Sequence, residues 1–224
     1  MSKIIIFVNT CKEYEESRAK LLESTWAGSD NVVFFTDNKE STLKNFIHIE
    51  KGIDGFNWGP DTTIKMFYTF LNNYSEYDWF MMIDDDAYLY IDKLLNYLSF
   101  FDKNDCYMFG DFLNWPEHHK DSIRKDYTFW NSGGPGIVFS KSCIIEYMNE
   151  IAKCRAQIGS HDLWLNNLYN CTDKQKIKRI HCPGFYQYDS NKLLSQYDKS
   201  SNCIISVHLE RNMELLNKYH ISSN

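Results

Sequence analysis

The sequence predicts an α/β fold, a mixed and mostly parallel sheet flanked by helices, and three observations carry that expectation. Short apolar runs alternate with amphipathic stretches along the first half of the chain. Several of the runs are apolar at consecutive positions, as strands covered on both faces must be. No internal repeat, low-complexity tract or Pro/Gly/Ser linker divides the chain, so one domain is expected over 1–224. With 224 residues, 43% hydrophobic and 16% aromatic, the chain can bury one sizeable core.

Taken in order, Ile4–Val8, Val32–Phe35, Phe46–Ile49, Trp79–Ile83 and Cys106–Phe109 read as strands. The amphipathic stretches Tyr14–Trp26, Thr62–Tyr74 and Ile91–Phe101 read as the helices between them. The second half is less regular, with a polar loop from Asp111 to Tyr127, a glycine-rich strand start over Gly133–Phe139, and helices near Ser142–Lys153 and His161–Leu168.

A formal charge of −6 and no basic cluster longer than Lys174–Arg179 exclude a phosphate-backbone surface, so nucleic acid is not an expected partner. The opening Met-Ser-Lys passes at once into an apolar run too short for a signal-peptide core, and no run reaches the ~20 apolar residues of a spanning helix. Seven cysteines without paired spacing fit free thiols in a reducing compartment. The expectation is a soluble, cytoplasmic chain without a membrane segment.

In an open α/β sheet, ligands bind beyond the carboxyl ends of the strands. Asn9-Thr10, Thr36-Asp37 and Asp84-Asp85-Asp86 occupy such positions. The buried run Trp79–Ile83 ends in three consecutive carboxylates, which repel one another unless a cation neutralises them. Mg²⁺ and Mn²⁺ take one or two carboxylates together with substrate phosphates and water, so this turn suits a metal-diphosphate site. A solvated turn ahead of a helix is the plainer alternative.

The segment from Ile4 to Asp37, with its Arg-x-x-x-Leu-x-x-Thr-Trp helix, resembles the start of the Fringe and β1,3-galactosyltransferase family (glycosyltransferase family 31). Trp79-Phe80-Met81-Met82-Ile83-Asp84-Asp85-Asp86-Ala87-Tyr88 is similar to that family's Trp-Phe-x-x-x-Asp-Asp-Asp-x-Tyr. Phe129-Trp130-Asn131-Ser132-Gly133-Gly134-Pro135-Gly136 resembles its glycine turn, with Pro in place of Ala. His161-Asp162-Leu163 lies where the family has an acidic pair, and Ser206-Val207-His208 is close to its final Ser-x-His. The blocks run in family order from residue 4 to 210.

The resemblance implies a GT-A type nucleotide-sugar-binding fold, with a donor-binding half over about 1–110 and an acceptor and catalytic half over about 111–224. It implies an inverting, metal-dependent glycosyltransferase that moves a hexose or N-acetylhexosamine, from UDP-Gal or UDP-GlcNAc type donors, to a hydroxyl of an acceptor glycan in a β1,3 linkage. Asp86 and His208 would ligate the metal, Mn²⁺ with Mg²⁺ as the alternative, since imidazole suits Mn²⁺ better. Asp84 would hold the donor ribose or a metal-bound water, and Asp85 stands with the donor-side residues without an individual role. Thr10 and Arg18 would face the diphosphate, Asp37 the uracil or ribose, and Lys65 the donor. Gly133 and Gly134 would let the backbone pass close to the donor sugar.

Asp162 would be the base that takes the acceptor proton. His161 stands where the family has an acid, which alters that residue's supporting role. Trp115 and Trp130 would stack on acceptor sugar rings. Plainer readings stand beside these: an ion pair of Arg18 with Glu15 or Glu23, a helix cap for Asp162, a tight turn for the glycines and core packing for the tryptophans. Rival functions are a catalytically inactive GT-A-fold glycan-binding protein and a metal phosphohydrolase.

Overall fold

The computed structural model describes residues 2–50, 59–113, 130–151, 160–172, 176–188, 190 and 204–223. The chain opens with β1 (Ile4–Asn9), followed by a π-helical turn over Glu15–Ala19, α1 (Lys20–Glu23) and a 3₁₀ turn over Trp26–Gly28. Then come β2 (Val32–Thr36), β3 (Phe46–His48), α2 (Pro60–Asn73), β4 (Trp79–Asp84), β5 (Ala87–Leu89), α3 (Ile91–Leu98) and β6 (Tyr107–Gly110). The second half adds β7 (Phe112–Leu113), β8 (Trp130–Asn131), β9 (Ile137–Ser140), α4 (Lys141–Glu150) and α5 (His161–Cys171). It closes with β10 (Lys178–His181), β11 (Phe185–Tyr186), β12 (Ser206–His208) and α6 (Glu214–Ser223).

Seven strands form one sheet in the order β10-β6-β9-β4-β1-β2-β3. Every pairing is parallel except those of β9, which runs against both β4 and β6, so the sheet is mixed and mostly parallel as expected. Alternate residues of the central strands serve two separate cores. Ile4, Ile6, Val8, Trp79, Met81 and Ile83 face the side covered by α1, α3 and α6, through Leu22, Leu94, Leu98, Leu215 and Leu216. Ile5, Phe7, Phe80 and Met82 face the side covered by α2, α4 and α5, through Met66, Phe67, Phe70, Ile144, Trp164 and Leu168. This period-2 division explains why these strands read as unbroken apolar runs.

The helix expected over Tyr14–Trp26 is broken. Ala19 N and Arg18 N both donate to Tyr14 O, and the widened turn carries Glu15 and Arg18 inward, to 3% and 7% exposure. Glu15 then accepts hydrogen bonds from Asn38, Ser41 and Thr42, which anchors the β2–β3 connection to this turn. Two small sheets were not expected: β11-β12-β5 and β7-β8. No helix among the described residues is long and apolar enough to cross a membrane.

Candidate active site

The acidic run is held between two sheets. Asp84, last in β4, lies level with Asn9 of β1, and Ala87, first in β5, pairs antiparallel with His208 of β12. Leu209 N donates to Asp86 O at 2.7 Å, and Trp26 Nε1 to Ala87 O at 3.0 Å, so the turn is fixed on both flanks. Two residues far apart in the sequence, Asp86 and His208, are thereby brought to 3.1 Å between Oδ1 and Nε2.

The three carboxylates have different surroundings. Asp85 is fully buried and accepts from Thr10 Oγ1 at 2.7 Å and from Arg18 Nη1 at 2.9 Å. Burial pushes its carboxyl up to about 7, against the pull of these two donors. Arg18, expected to face a diphosphate, is drawn inward instead, lying 3.8 Å over the Tyr14 ring and 3.5 Å from Asp86 Oδ2. Burial alone would raise the Asp86 carboxyl, but the His208 hydrogen bond and charge, Arg18 and the Arg211 N–H overcome it and hold the group below its usual value. Burial works to lower His208, and Asp86 outweighs it, so the imidazole is held above its usual value.

Asp84 is partly exposed, and burial pushes its carboxyl up to about 6. Asp86 and Asp162 add to that rise, while His161 and His208 oppose it. Five groups from three regions of the chain, Asp84, Asp86, His161, Asp162 and His208, thus share one electrostatic neighbourhood.

Asp162 lies in the first turn of α5, whose cap position is Ser160, so it is not the cap itself. Its Oδ1 accepts from Ser160 Oγ and from Leu163 N at 2.8 Å, and its Oδ2 accepts no hydrogen bond from the described residues. His161 is 5% exposed, and its Nδ1 has no partner among the described residues. The ring tip rests on Gly133, where a Cβ would come within 1.8 Å of Nε2. A Cβ on Gly134 would meet Gln187 Oε1 at 2.5 Å and His208 Cγ at 2.8 Å. Both glycines are required by the close approach of these side chains.

Of the remaining expectations, Asp37 Oδ1 accepts from Lys12 N at 2.7 Å, tying the loop after β1 to the end of β2. Lys65 is exposed on α2 and makes no hydrogen bond or ion pair with the described residues. Trp130 is 7% exposed, which leaves little ring face for an acceptor, and Trp115 lies outside the described residues. Residues that sequence reasoning passed over also line the site. Gln187 and Ser132 touch His208 directly or through one another, and Glu210 and Arg211 form a left-handed turn with φ of 52° and 66°. That turn delivers Arg211 N to Asp86 Oδ2 at 3.1 Å. Ser132 was within the glycine motif and so within reach of the sequence; Gln187 had no local signal.

The Asp86–His208 pair fits a divalent cation. Asp86 Oδ1 and His208 Nε2 share a hydrogen bond at 3.1 Å, and a carboxylate oxygen beside an imidazole nitrogen is a donor set that Mn²⁺ takes. Among the described residues no group of three or more His, Cys, Asp or Glu gathers as a ligand set. A cation here would keep most of its positions for substrate oxygens and water.

A family model described as Fringe-like matches residues 1–222. A mouse (Mus musculus) β-1,3-glucosyltransferase is 24% identical over 188 residues, covering 83% of this chain and 36% of that protein. Human (Homo sapiens) chondroitin sulfate synthase 3 is 25% identical over 171 residues, covering 71% of this chain and 19% of that one. The chain therefore spans about a third and a fifth of the lengths of these relatives. The crystal structure of a glycosyltransferase involved in the glycosylation of the major capsid of PBCV-1 superposes with a TM-score of 0.49 at 13% identity, over 99% of this chain and 100% of that chain.

Proposed function

The chain belongs to the Fringe-like family, and from that premise we propose that it is an inverting, metal-dependent glycosyltransferase. In this reading it transfers a hexose or N-acetylhexosamine from a UDP-sugar to an acceptor glycan hydroxyl, forming a β1,3 linkage. The observation that carries the reading is the meeting of Asp86 and His208 at 3.1 Å beside Asp84 and Asp162. Family membership supports the transfer chemistry and the linkage.

A bound Mn²⁺, or Mg²⁺, supplies positive charge to the departing diphosphate. Asp86 and His208 would hold that ion, and Asp84 would take the donor ribose or a water on the metal. Arg18 and Thr10 act one step back: they fix Asp85 beneath the turn, and with it the course of the backbone through Asp84 and Asp86. Asp37, Lys65, Gly133 and Gly134 stay in the proposed donor cradle. Asp162 accepts the acceptor hydroxyl's proton on Oδ2, because Oδ1 is engaged by Ser160 and Leu163. As the acceptor's oxygen bonds to the anomeric carbon, the carbon–diphosphate bond breaks on the opposite face, so the configuration inverts.

The test is UDP release from a panel of UDP-sugars with Mn²⁺, with and without glycan acceptors. Asp86→Ala is expected to remove metal-dependent UDP binding, while Asp162→Asn keeps binding and loses transfer by ~10²-fold or more. Full transfer by Asp162→Asn overturns the base assignment. Glycan binding without turnover of any donor would favour a binding protein on the same fold.

A further inference from the structure

His208 reaches the site from a three-residue strand, whose register against β5 fixes its backbone but not the rotation of its ring. An imidazole turned over about χ2 would offer Nδ1 in place of Nε2, so something must choose between them. The only described side chain bonded to Nδ1 is that of Gln187, and two contacts from this residue converge there. Gln187 Nε2 lies 2.9 Å from His208 Nδ1, and Gln187 O lies 3.2 Å from the same atom.

Gln187 is itself held at both ends. Its N–H donates to Asp111 Oδ2 at 3.0 Å, and its Oε1 accepts from Ser132 Oγ. Gly134 leaves the space in which the amide and the imidazole meet. We infer that Gln187, which no motif singles out, is the positioning residue for His208: it grips Nδ1 and so turns Nε2 toward Asp86 and the cation. This rests on the metal site of the proposed function.

The chemistry sets the direction of the grip. A metal on Nε2 needs that nitrogen's lone pair, which puts the hydrogen of the neutral ring on Nδ1. The Gln187 main-chain carbonyl, which every substitution keeps, can only accept and therefore favours Nδ1–H. As placed, the side-chain NH₂ faces Nδ1 and would donate to it; a half-turn brings Oε1 there to accept from Nδ1–H, leaving the NH₂ to the Ser132 hydroxyl, which accepts as readily as it donates.

Two variants separate a hydrogen-bonding role from a space-filling one. Gln187→Met keeps length and bulk without a polar end, and Gln187→Glu supplies a carboxylate that can accept from Nδ1–H. Each is measured for Mn²⁺ affinity by water-proton relaxation, for His208 tautomer by imidazole ¹⁵N shifts in the metal-free chain, and for unfolding temperature. Gln187→Met is expected to bind Mn²⁺ about 10–100-fold more weakly and to lose part of its Nδ1–H population, with Gln187→Glu restoring both. Unchanged affinity and tautomer in Gln187→Met overturn the inference, as does a Gln187→Glu variant no better than Gln187→Met. Failure of the metal reading looks different: the unaltered chain binds no Mn²⁺ while Gln187 still sets the His208 tautomer.

Discussion

The three neighbouring aspartates show how little a residue's identity decides without its surroundings. Asp84 and Asp86, two apart, share the neighbourhood of His208, while Asp85 between them is turned under to Thr10 and Arg18. Sequence alone could say that three adjacent carboxylates need compensation; it could not say that Arg18 compensates the middle one, because that contact closes only in the folded chain. Among the described residues no guanidinium or hydroxyl bonds Asp84 in this way, and burial pushes its carboxyl up to about 6 from an ordinary 3.8. For an acid raised in the folded state, the stabilising contribution is full below the unfolded value and is lost as pH rises through the folded one. Asp84→Asn does not titrate, so relative to the unaltered metal-free chain it is expected to gain stability between about pH 4 and pH 7 and to hold level above. The gain is on the order of 1–3 kcal/mol, from about 1.4 kcal/mol per pKa unit reduced for partial exposure. Urea unfolding at several pH values measures it, and a variant that loses ground as pH rises would show that a partner holds Asp84 as the carboxylate.

At the scale of elements, legibility follows length and periodicity. β1, β2 and β4 were readable because alternate residues feed two cores, and α2 and α3 because their apolar faces recur at helical spacing. β5, β11 and β12 have two or three residues each, too few to show a period, yet β5 and β12 carry the pairing that sets His208 beside Asp86. His208 was found through its resemblance to a motif, and Gln187, one residue past β11, was not found at all. The first helix misled for another reason: its pattern is helical, but the inward pull on Glu15 and Arg18 widens the turn. A junction away from the site shows the same economy of parts. Ser140 ends β9, caps α4 by accepting from Cys143 N at 3.3 Å, and also accepts from Tyr107 N at 2.9 Å on β6. Ser140→Ala removes the cap and the Tyr107 acceptor together, so a loss of about 2 kcal/mol is expected, with Mn²⁺ affinity unchanged. A loss of only a few tenths would mean that another acceptor takes over at β6.

Across the whole molecule, the site exists only where distant segments meet. Asp86 from the turn between β4 and β5, Ser132 and Gly134 from the turn before β9, Asp162 from α5, Gln187 beyond β11 and His208 on β12 come together only in the folded chain. Unfolding scatters these groups, so a ligand bound across them stabilises the whole fold by mass action rather than one loop. With free UDP at ~100 times its Kd in the presence of Mn²⁺, the added stability is about 2.7 kcal/mol. At roughly 2–4 °C per kcal/mol for a chain of this size, the unfolding temperature should rise by several degrees. Two controls assign the rise. Mn²⁺ without nucleotide should give less, because two protein ligands leave most of the coordination to be filled, and Asp86→Ala should lose the metal-dependent part. The same rise with UDP in the presence of a chelator would mean that the nucleotide binds without a cation, and the Asp86–His208 pair would then need another role.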